Sequence, residues 1–277
     1  MSTPVAMLTE RELKLWRDGL IAKDLAPATV NRTMVPLHAA LEAVADADPR
    51  IIRRPWQTAL RKLPDATNVR RVVKSAGDIG NLVGACYAVG RQLGILCEVL
   101  ATGGMRLSQA SRLIVADLQA GSSNPRLLVP KSGKGNQRKR GEKIAVPIPP
   151  GLAATLQQEA AGRPADAPLL RKSDGMPWQS SNDADHRTLF RAAVVRAGFD
   201  PDEVTTYCFR HSSIVRQLLA NVPIRIVAAT HDTSVGQIER CYSRYVTDHS
   251  DALTRAALLD LSPAAADSNV VSLVRKP

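Results

Sequence analysis

The chain has 277 residues, 44% of them hydrophobic and only 4% aromatic, with a formal net charge of +11. Such a length suits one large or two modest domains. The scarcity of rings leaves a core of Leu, Val, Ile and Ala, which favours helices, and a pI near 9.9 points to a polyanionic partner, nucleic acid before an anionic membrane surface. No apolar run reaches the roughly 18 residues of a membrane span, no signal-like apolar core follows the N-terminus, and Cys86, Cys97, Cys208 and Cys241 form no C-x-x-C pair and have no His at zinc spacing. The expectation is a cytoplasmic protein with reduced cysteines, no membrane partner and no structural metal.

Residues 8–63 read as wholly helical. Thr9 followed by Glu12 forms a capping-box pattern opening a helix over 10–23. Pro27 and Thr29 open a second, running to about Ala47, with Val30, Met34, Leu37, Leu41 and Val44 at helical spacing. Asp48-Pro49 ends it, and a third helix is expected over 55–62. Residues 64–74 are polar, basic and without amphipathic period. These features divide the chain into an N-terminal helical domain over 1–68, a linker over 69–75, a second domain over 76–262 and a tail over 263–277.

In the second domain, residues 78–100 read as one or two buried helices, interrupted by Gly84, Gly90 and Gly94. Two apolar runs, 127–129 and 144–146, flank K-S-G-K-G-N-Q-R-K-R-G-E-K and predict a β-hairpin with a long basic loop. Helices follow over 152–161, 185–197, 209–220, 224–229, 233–245 and 250–261, where Pro263 stops the last. The fold class is therefore mainly α with a small sheet or hairpin. The tail carries the apolar cluster V-V-S-L-V, suited to docking on a neighbouring protomer.

Four constellations carry chemistry. In T-G-G-M-R-L-S-Q, Arg106 follows a glycine pair and opens a helix, where a guanidinium can join backbone amides in gripping phosphate. On the basic loop, Lys134 is the first choice to reach a leaving oxygen and Lys131 the second; Arg138, Lys139, Arg140 and Lys143 suit backbone phosphate contacts. The third is Arg210-His211 at a helix start. The fourth is Tyr242 near the end of a helix, with Tyr245 one turn away as its competitor. A phenol of ordinary pKa near 10 attacks at neutral pH only with a base or a cationic surround, and two arginines and a lysine converging on one phosphate supply the latter.

These boxes, in this order, resemble those of the tyrosine recombinases, the phage-integrase family. T-G-G-M-R-L-S-Q resembles the T-G-x-R-x-x-E box, S-G-K-G-N with I-A-V-P-I the lysine hairpin, Y-C-F-R-H-S-S the H-x-x-R-H box, and H-D-T-S-V-G-Q-I-E-R-C-Y the box ending in the nucleophilic tyrosine. L-A-P-A-T-V-N-R resembles the family's N-terminal core-binding helices, so the resemblance spans residues 8–262. It implies a helical, SAM-like core-binding domain joined to a tyrosine-recombinase catalytic domain, the two forming a C-shaped clamp on double-stranded attachment-site DNA. It further implies that Tyr242 forms a 3′-phosphotyrosyl link while Arg106 and Arg210 clamp the nonbridging oxygens and Lys134 protonates the 5′-oxygen. By the same resemblance no cofactor, metal or ATP is required, and the chain is expected to be bacterial or phage-encoded and nucleoid-associated, monomeric or dimeric when free and a homotetramer on DNA. Arg32, Arg54 and Arg61, with Arg53 and Lys62, are the N-terminal candidates for phosphate contacts, which make binding salt-dependent.

The chain departs from the family pattern at three positions. Tyr207 stands at the first histidine position, Thr233 at the second, and Gln109 at the acidic one. His231, two residues before Thr233, is the replacement base if the turn is displaced; Tyr207 can hydrogen-bond phosphate; His211 reads as structural. The departures keep open a catalytically degenerate DNA-binding protein, and the shared chemistry keeps open a type IB topoisomerase-like nicking enzyme.

Overall fold

The computed structural model describes residues 4–64, 72–121, 123–132, 141–179 and 186–247, together with Asp251, Thr254, Arg255 and Leu258. Two compact units divide the chain, Met1–Arg70 and Arg71–Pro277.

The first unit holds α1 (Glu10–Ile21), α2 (Pro27–Ala47) and α3 (Arg54–Ala59). The capping box at α1 is formed: the Glu12 amide donates to Thr9 Oγ1 at 3.3 Å and the Thr9 amide to Glu12 Oε2 at 2.9 Å. Leu13, Val30, Met34, Leu41 and Trp56 make the core, nearly excluded from water. Glu42 on α2 ties this core to α3 by accepting from Trp56 Nε1 at 2.8 Å and from Arg53 Nη1 at 2.5 Å. The third helix ends earlier than its sequence pattern suggests. The backbone of Leu63 is held by the Asn31 side chain, whose amide donates to the Leu63 carbonyl at 3.0 Å and whose oxygen accepts from the Leu63 amide at 2.8 Å, which draws the chain off the helical path after Ala59.

The second unit begins with α4 (Ala76–Val89) and α5 (Arg91–Gly103). Residues 78–100 are thus two helices, broken at Gly90, where the backbone is extended. The pair packs closely because Gly94 lies under the Tyr87 ring: a Cβ at Gly94 would sit 2.3 Å from that ring. After the short α6 (Leu107–Ala110) comes an antiparallel sheet in the order β1 (Leu118–Gln119), β2 (Arg126–Pro130), β3 (Lys143–Pro147). Leu127 pairs with Val146 and Val129 with Ile144, as the two apolar runs predict. Strand β1 was not legible, since two residues are too few to carry an alternation.

Helices α7 (Pro150–Ala160), α8 (His186–Arg196), α9 (Tyr207–Leu219), α10 (Ile224–Thr230) and α11 (Val235–Thr247) follow. The main core gathers Leu82, Leu93, Leu96, Leu100, Leu127, Leu156 and Phe209, and a second cluster of Ile214, Val227, Ile238 and Tyr242 joins α9, α10 and α11. All four cysteines are buried thiols that form no disulfide among the described residues; burial, with Cys86 beside it, pushes the Cys97 thiol well up. Among the described residues no helix is long and apolar enough to cross a membrane. Asp251, Thr254 and Arg255 are helical, whereas Leu258, inside the helix expected over 250–261, is not; the other residues of that helix, and the tail, lie outside the described residues.

The glycines of α4 and α5 separate two effects. At exposed Gly84 an added Cβ would meet nothing within 4 Å, so Gly84→Ala is expected to stabilise by about 0.5–1 kcal/mol through helix propensity. Gly94→Ala meets the Tyr87 ring and is expected to destabilise by about 1–3 kcal/mol despite the same propensity gain. Urea midpoints of the two variants check this.

Candidate active site

The site is built where the end of α5, the turn after α10 and the start of α9 meet. Gly104 closes α5 in the left-handed region, φ 58°, and a Cβ there would lie 2.3 Å from His231 Nε2 and 2.7 Å from Ser213 Oγ. Only glycine satisfies both the backbone and that approach. The chain then turns at Arg106, which precedes α6, and Gln109 Oε1 accepts the Arg106 amide at 3.0 Å.

The turn after α10 supplies the other half. The Thr233 amide donates to the Ala228 carbonyl at 3.0 Å and the Asp232 amide to the Ala229 carbonyl at 3.2 Å, the paired bonds of a Schellman ending. The left-handed residue of such an ending is usually glycine; here it is Asp232, φ 49°. Its carboxylate does what a glycine cannot. Oδ2 accepts from the Ser132 amide at 2.7 Å, Gln109 Nε2 at 3.1 Å and Arg106 Nη1 at 3.3 Å. Burial acts to raise the pKa of Asp232, but Ser132, Arg106 and Arg210 outweigh it and hold the carboxyl below its ordinary value. Gln109 also donates to the Pro130 carbonyl at 2.9 Å. A glutamate there would set a second anion against Asp232, which accounts for an amide at this position.

Two guanidiniums converge on consecutive carbonyls of the turn. Arg106 Nη1 donates to the Asp232 carbonyl at 3.0 Å, and Arg210 Nη2 to the His231 carbonyl at 2.5 Å. Arg210 Nη1 is held by the Gly104 carbonyl at 2.9 Å. Arg210 is 4% exposed, and burial, then the nearby Arg106 charge, lower its pKa. The Arg106 Nε is buried and has no acceptor among the described residues.

Next to Arg210 on α9, His211 Nδ1 lies 2.6 Å from Tyr242 Oη on α11. Both residues are buried. Tyr207, half-exposed at the start of α9, stands edge-on to the His211 ring with centroids 5.0 Å apart. Tyr245 is different: its hydroxyl accepts from Arg244 at 2.7 Å, and the Arg244 guanidinium lies over its ring, a pairing within one helix. Arg106, Ser108, Arg187, Arg191 and Tyr207 line an open cleft of about 520 Å³ beside the site.

His231 is 1% exposed. Its Nδ1 meets the Val227 carbonyl at 2.9 Å and its Nε2 the Ser213 hydroxyl at 3.0 Å, so both ring nitrogens are engaged inside the protein. Burial, with Arg210 nearby, lowers its pKa to about 4. Thr233 contributes its backbone amide to the turn. Lys131 spans the base of the hairpin to Glu142, Nζ to Oε2 at 2.6 Å, and Lys143 pairs with buried Asp117. Lys134, Arg138, Lys139 and Arg140 lie outside the described residues. In the first unit Arg32, Arg54 and Arg61 are exposed, whereas Arg53 is paired with Glu42 and Asp46. Sequence reasoning missed Asp232, Ser132 and Ser213; an Asp directly after a helix-ending His, where glycine is the common choice, was the available signal.

No protein-family model matches the chain, and no curated protein matches it. Solved structures do. The Tn1549 transposon integrase in complex with transposon right end DNA is 18% identical with a TM-score of 0.72, over 93% of this chain and 88% of that one. XerH site-specific recombinase bound to a palindromic difH substrate, a post-cleavage complex, is 14% identical with a TM-score of 0.65, over 93% and 74%. A lambda integrase tetramer bound to a Holliday junction is 18% identical with a TM-score of 0.62, over 84% and 66%. At these identities the likeness establishes the fold: the chain has the tyrosine-recombinase fold that its sequence boxes suggested.

The burial of His231 carries a pH signature. Its pKa falls from 6.5 when unfolded to about 4 when folded, so between those values the unfolded chain binds more protons and stability falls as pH falls. The full effect is on the order of 3 kcal/mol. The denaturation midpoint is expected to drop from pH 7 to pH 5 in the parent, and His231→Gln to lower stability at pH 7 while flattening that drop.

Proposed function

We propose that the chain is a site-specific DNA recombinase, an integrase of a mobile element, that cuts and rejoins double-stranded DNA through a 3′-phosphotyrosyl intermediate on Tyr242. The observation that carries this reading is the convergence of Arg106 and Arg210 on adjacent carbonyls of one turn, with a buried Arg106 Nε lacking an acceptor among the described residues. Two rigidly held guanidiniums over so short a span match the nonbridging oxygens of one phosphodiester. Held beforehand by protein carbonyls, they need little reorganisation as charge builds on the phosphorane-like transition state.

Tyr242 Oη attacks phosphorus, forming the phosphotyrosyl bond as the bond to the 5′-oxygen breaks; Lys134 gives that oxygen its proton. A 5′-hydroxyl from another strand then attacks the phosphotyrosine and releases the phenol. Because one phosphoester is exchanged for another, no external energy source is consumed. Tyr207 borders the cleft beside Arg106, a position suited to hydrogen-bonding phosphate. Exposed Arg32, Arg54 and Arg61 contribute sequence-independent contacts to DNA phosphates. Two strands must be exchanged between two duplexes, so the acting form is a tetramer on DNA.

The test is capture of a covalent adduct. The protein is incubated with a pool of nicked duplexes randomised around the nick, and protein–DNA adducts that survive denaturation are isolated and sequenced. Wild type and Tyr245→Phe are expected to yield adducts at rates within about twofold of each other, Tyr242→Phe none, and Arg106→Ala a rate lower by about 10²–10³-fold, the usual effect of removing one transition-state donor. DNA binding without any adduct from wild type would replace this reading with that of a catalytically degenerate DNA-binding protein.

A further inference from the structure

We propose that His211 is the catalytic base that takes the phenolic proton of Tyr242; this rests on the recombinase reading above. The reacting oxygen of that reading, Tyr242 Oη, already lies 2.6 Å from His211 Nδ1, within the range at which a base abstracts a proton directly. The two other candidates for this duty stand elsewhere. Thr233 has no group that accepts a proton at neutral pH, and both nitrogens of His231 are bound to Val227 and Ser213. Tyr207 and His211 are one helical turn apart on α9, so a base at 211 faces the same side of the helix as one at 207 would.

The surroundings hold His211 in that role. Tyr242 is packed among Ile214, Val227 and Ile238, so the hydroxyl cannot swing freely away. The edge-on contact with Tyr207, at 5.0 Å and 64°, limits rotation of the imidazole. Charged and titratable groups that act on Arg210, the chain neighbour of His211, are Arg106 ahead of α6, Tyr207, Tyr242 and Asp232 from the turn after α10.

The step balances within the site. With the imidazole proton on Nε2, Nδ1 accepts the phenolic proton as the Oη–H bond breaks. The freed electron pair of Oη forms the bond to phosphorus, and the electrons of the breaking phosphorus–oxygen bond leave with the 5′-oxygen. On rejoining, the imidazolium returns the proton to the departing phenolate.

The experiment uses a duplex recovered by adduct capture and resynthesised with a 5′-bridging phosphorothiolate at the scissile position. Its sulfur leaves without needing a proton, so single-turnover cleavage isolates the attack. His211→Gln, which keeps a polar side chain of similar reach, is expected to lose about 10²–10³-fold in cleavage of this substrate, with a rate that rises tenfold per pH unit across the range where wild type levels off. Placing a ring-fluorinated, more acidic tyrosine at 242 is expected to restore much of the His211→Gln rate while changing wild type little. Thermal melting and gel shift establish that the variant folds and binds DNA. The proposal is overturned if His211→Gln cleaves within twofold of wild type, or if its loss is equal at every pH and unrelieved by the acidic tyrosine, which is the behaviour of a packing residue. A wild-type protein that captures no duplex at all would overturn the recombinase reading, and this one with it.

Discussion

The site depends on one turn, residues 230–233, to which four residues from elsewhere in the fold donate hydrogen bonds. Its backbone carbonyls at His231 and Asp232 hold Arg210 and Arg106, and the Asp232 carboxylate collects Ser132, Gln109 and Arg106. Placing a non-glycine residue in the left-handed region has a cost, modest for Asp, and it is offset because the carboxylate is exchanged from water into charge-assisted hydrogen bonds. The segment between α10 and α11 is therefore an electrostatic keystone: it fixes both arginines and sets the start of the helix that carries Tyr242.

Burying a guanidinium such as Arg210 is unfavourable unless its donors are met. Here two backbone carbonyls from different parts of the chain, Gly104 and His231, meet them. That demand explains features that look unrelated in the sequence. Gly104 must lack a side chain so that His231 and Ser213 can approach, and His231 must stay neutral and buried so that its carbonyl points at Arg210. A histidine that reads as chemistry in the sequence thus serves the site through its backbone, while the neighbour of Arg210 on α9, His211, meets the tyrosine.

Much of this architecture was legible. The Thr9–Glu12 capping box, the apolar spacing along α2, the hairpin flanking the basic loop and the order of helices α7 to α11 follow from local patterns of spacing and capping, and these survive in the fold because tertiary packing agrees with them. What was not legible depends on contacts distant in sequence. The early end of α3 comes from Asn31 reaching Leu63, 32 residues away. The meeting of His211 with Tyr242, and the engagement of Asp232 by Ser132 across 100 residues, have no local signature. His231 was singled out as a base because it lies near the expected position in sequence, and burial, invisible in a sequence, decided where its nitrogens point.

The most direct test of the account is identification of the residue that becomes joined to DNA. Adducts formed by the wild-type protein would be digested with protease and nuclease, and the nucleotide-bearing peptide sequenced by mass spectrometry. The nucleotide is expected on Tyr242, within the peptide of α11 that follows the Asp232 turn. A nucleotide on Tyr245 or Tyr207, or on a serine, would contradict it, because it is the Tyr242 hydroxyl that lies 2.6 Å from His211 Nδ1.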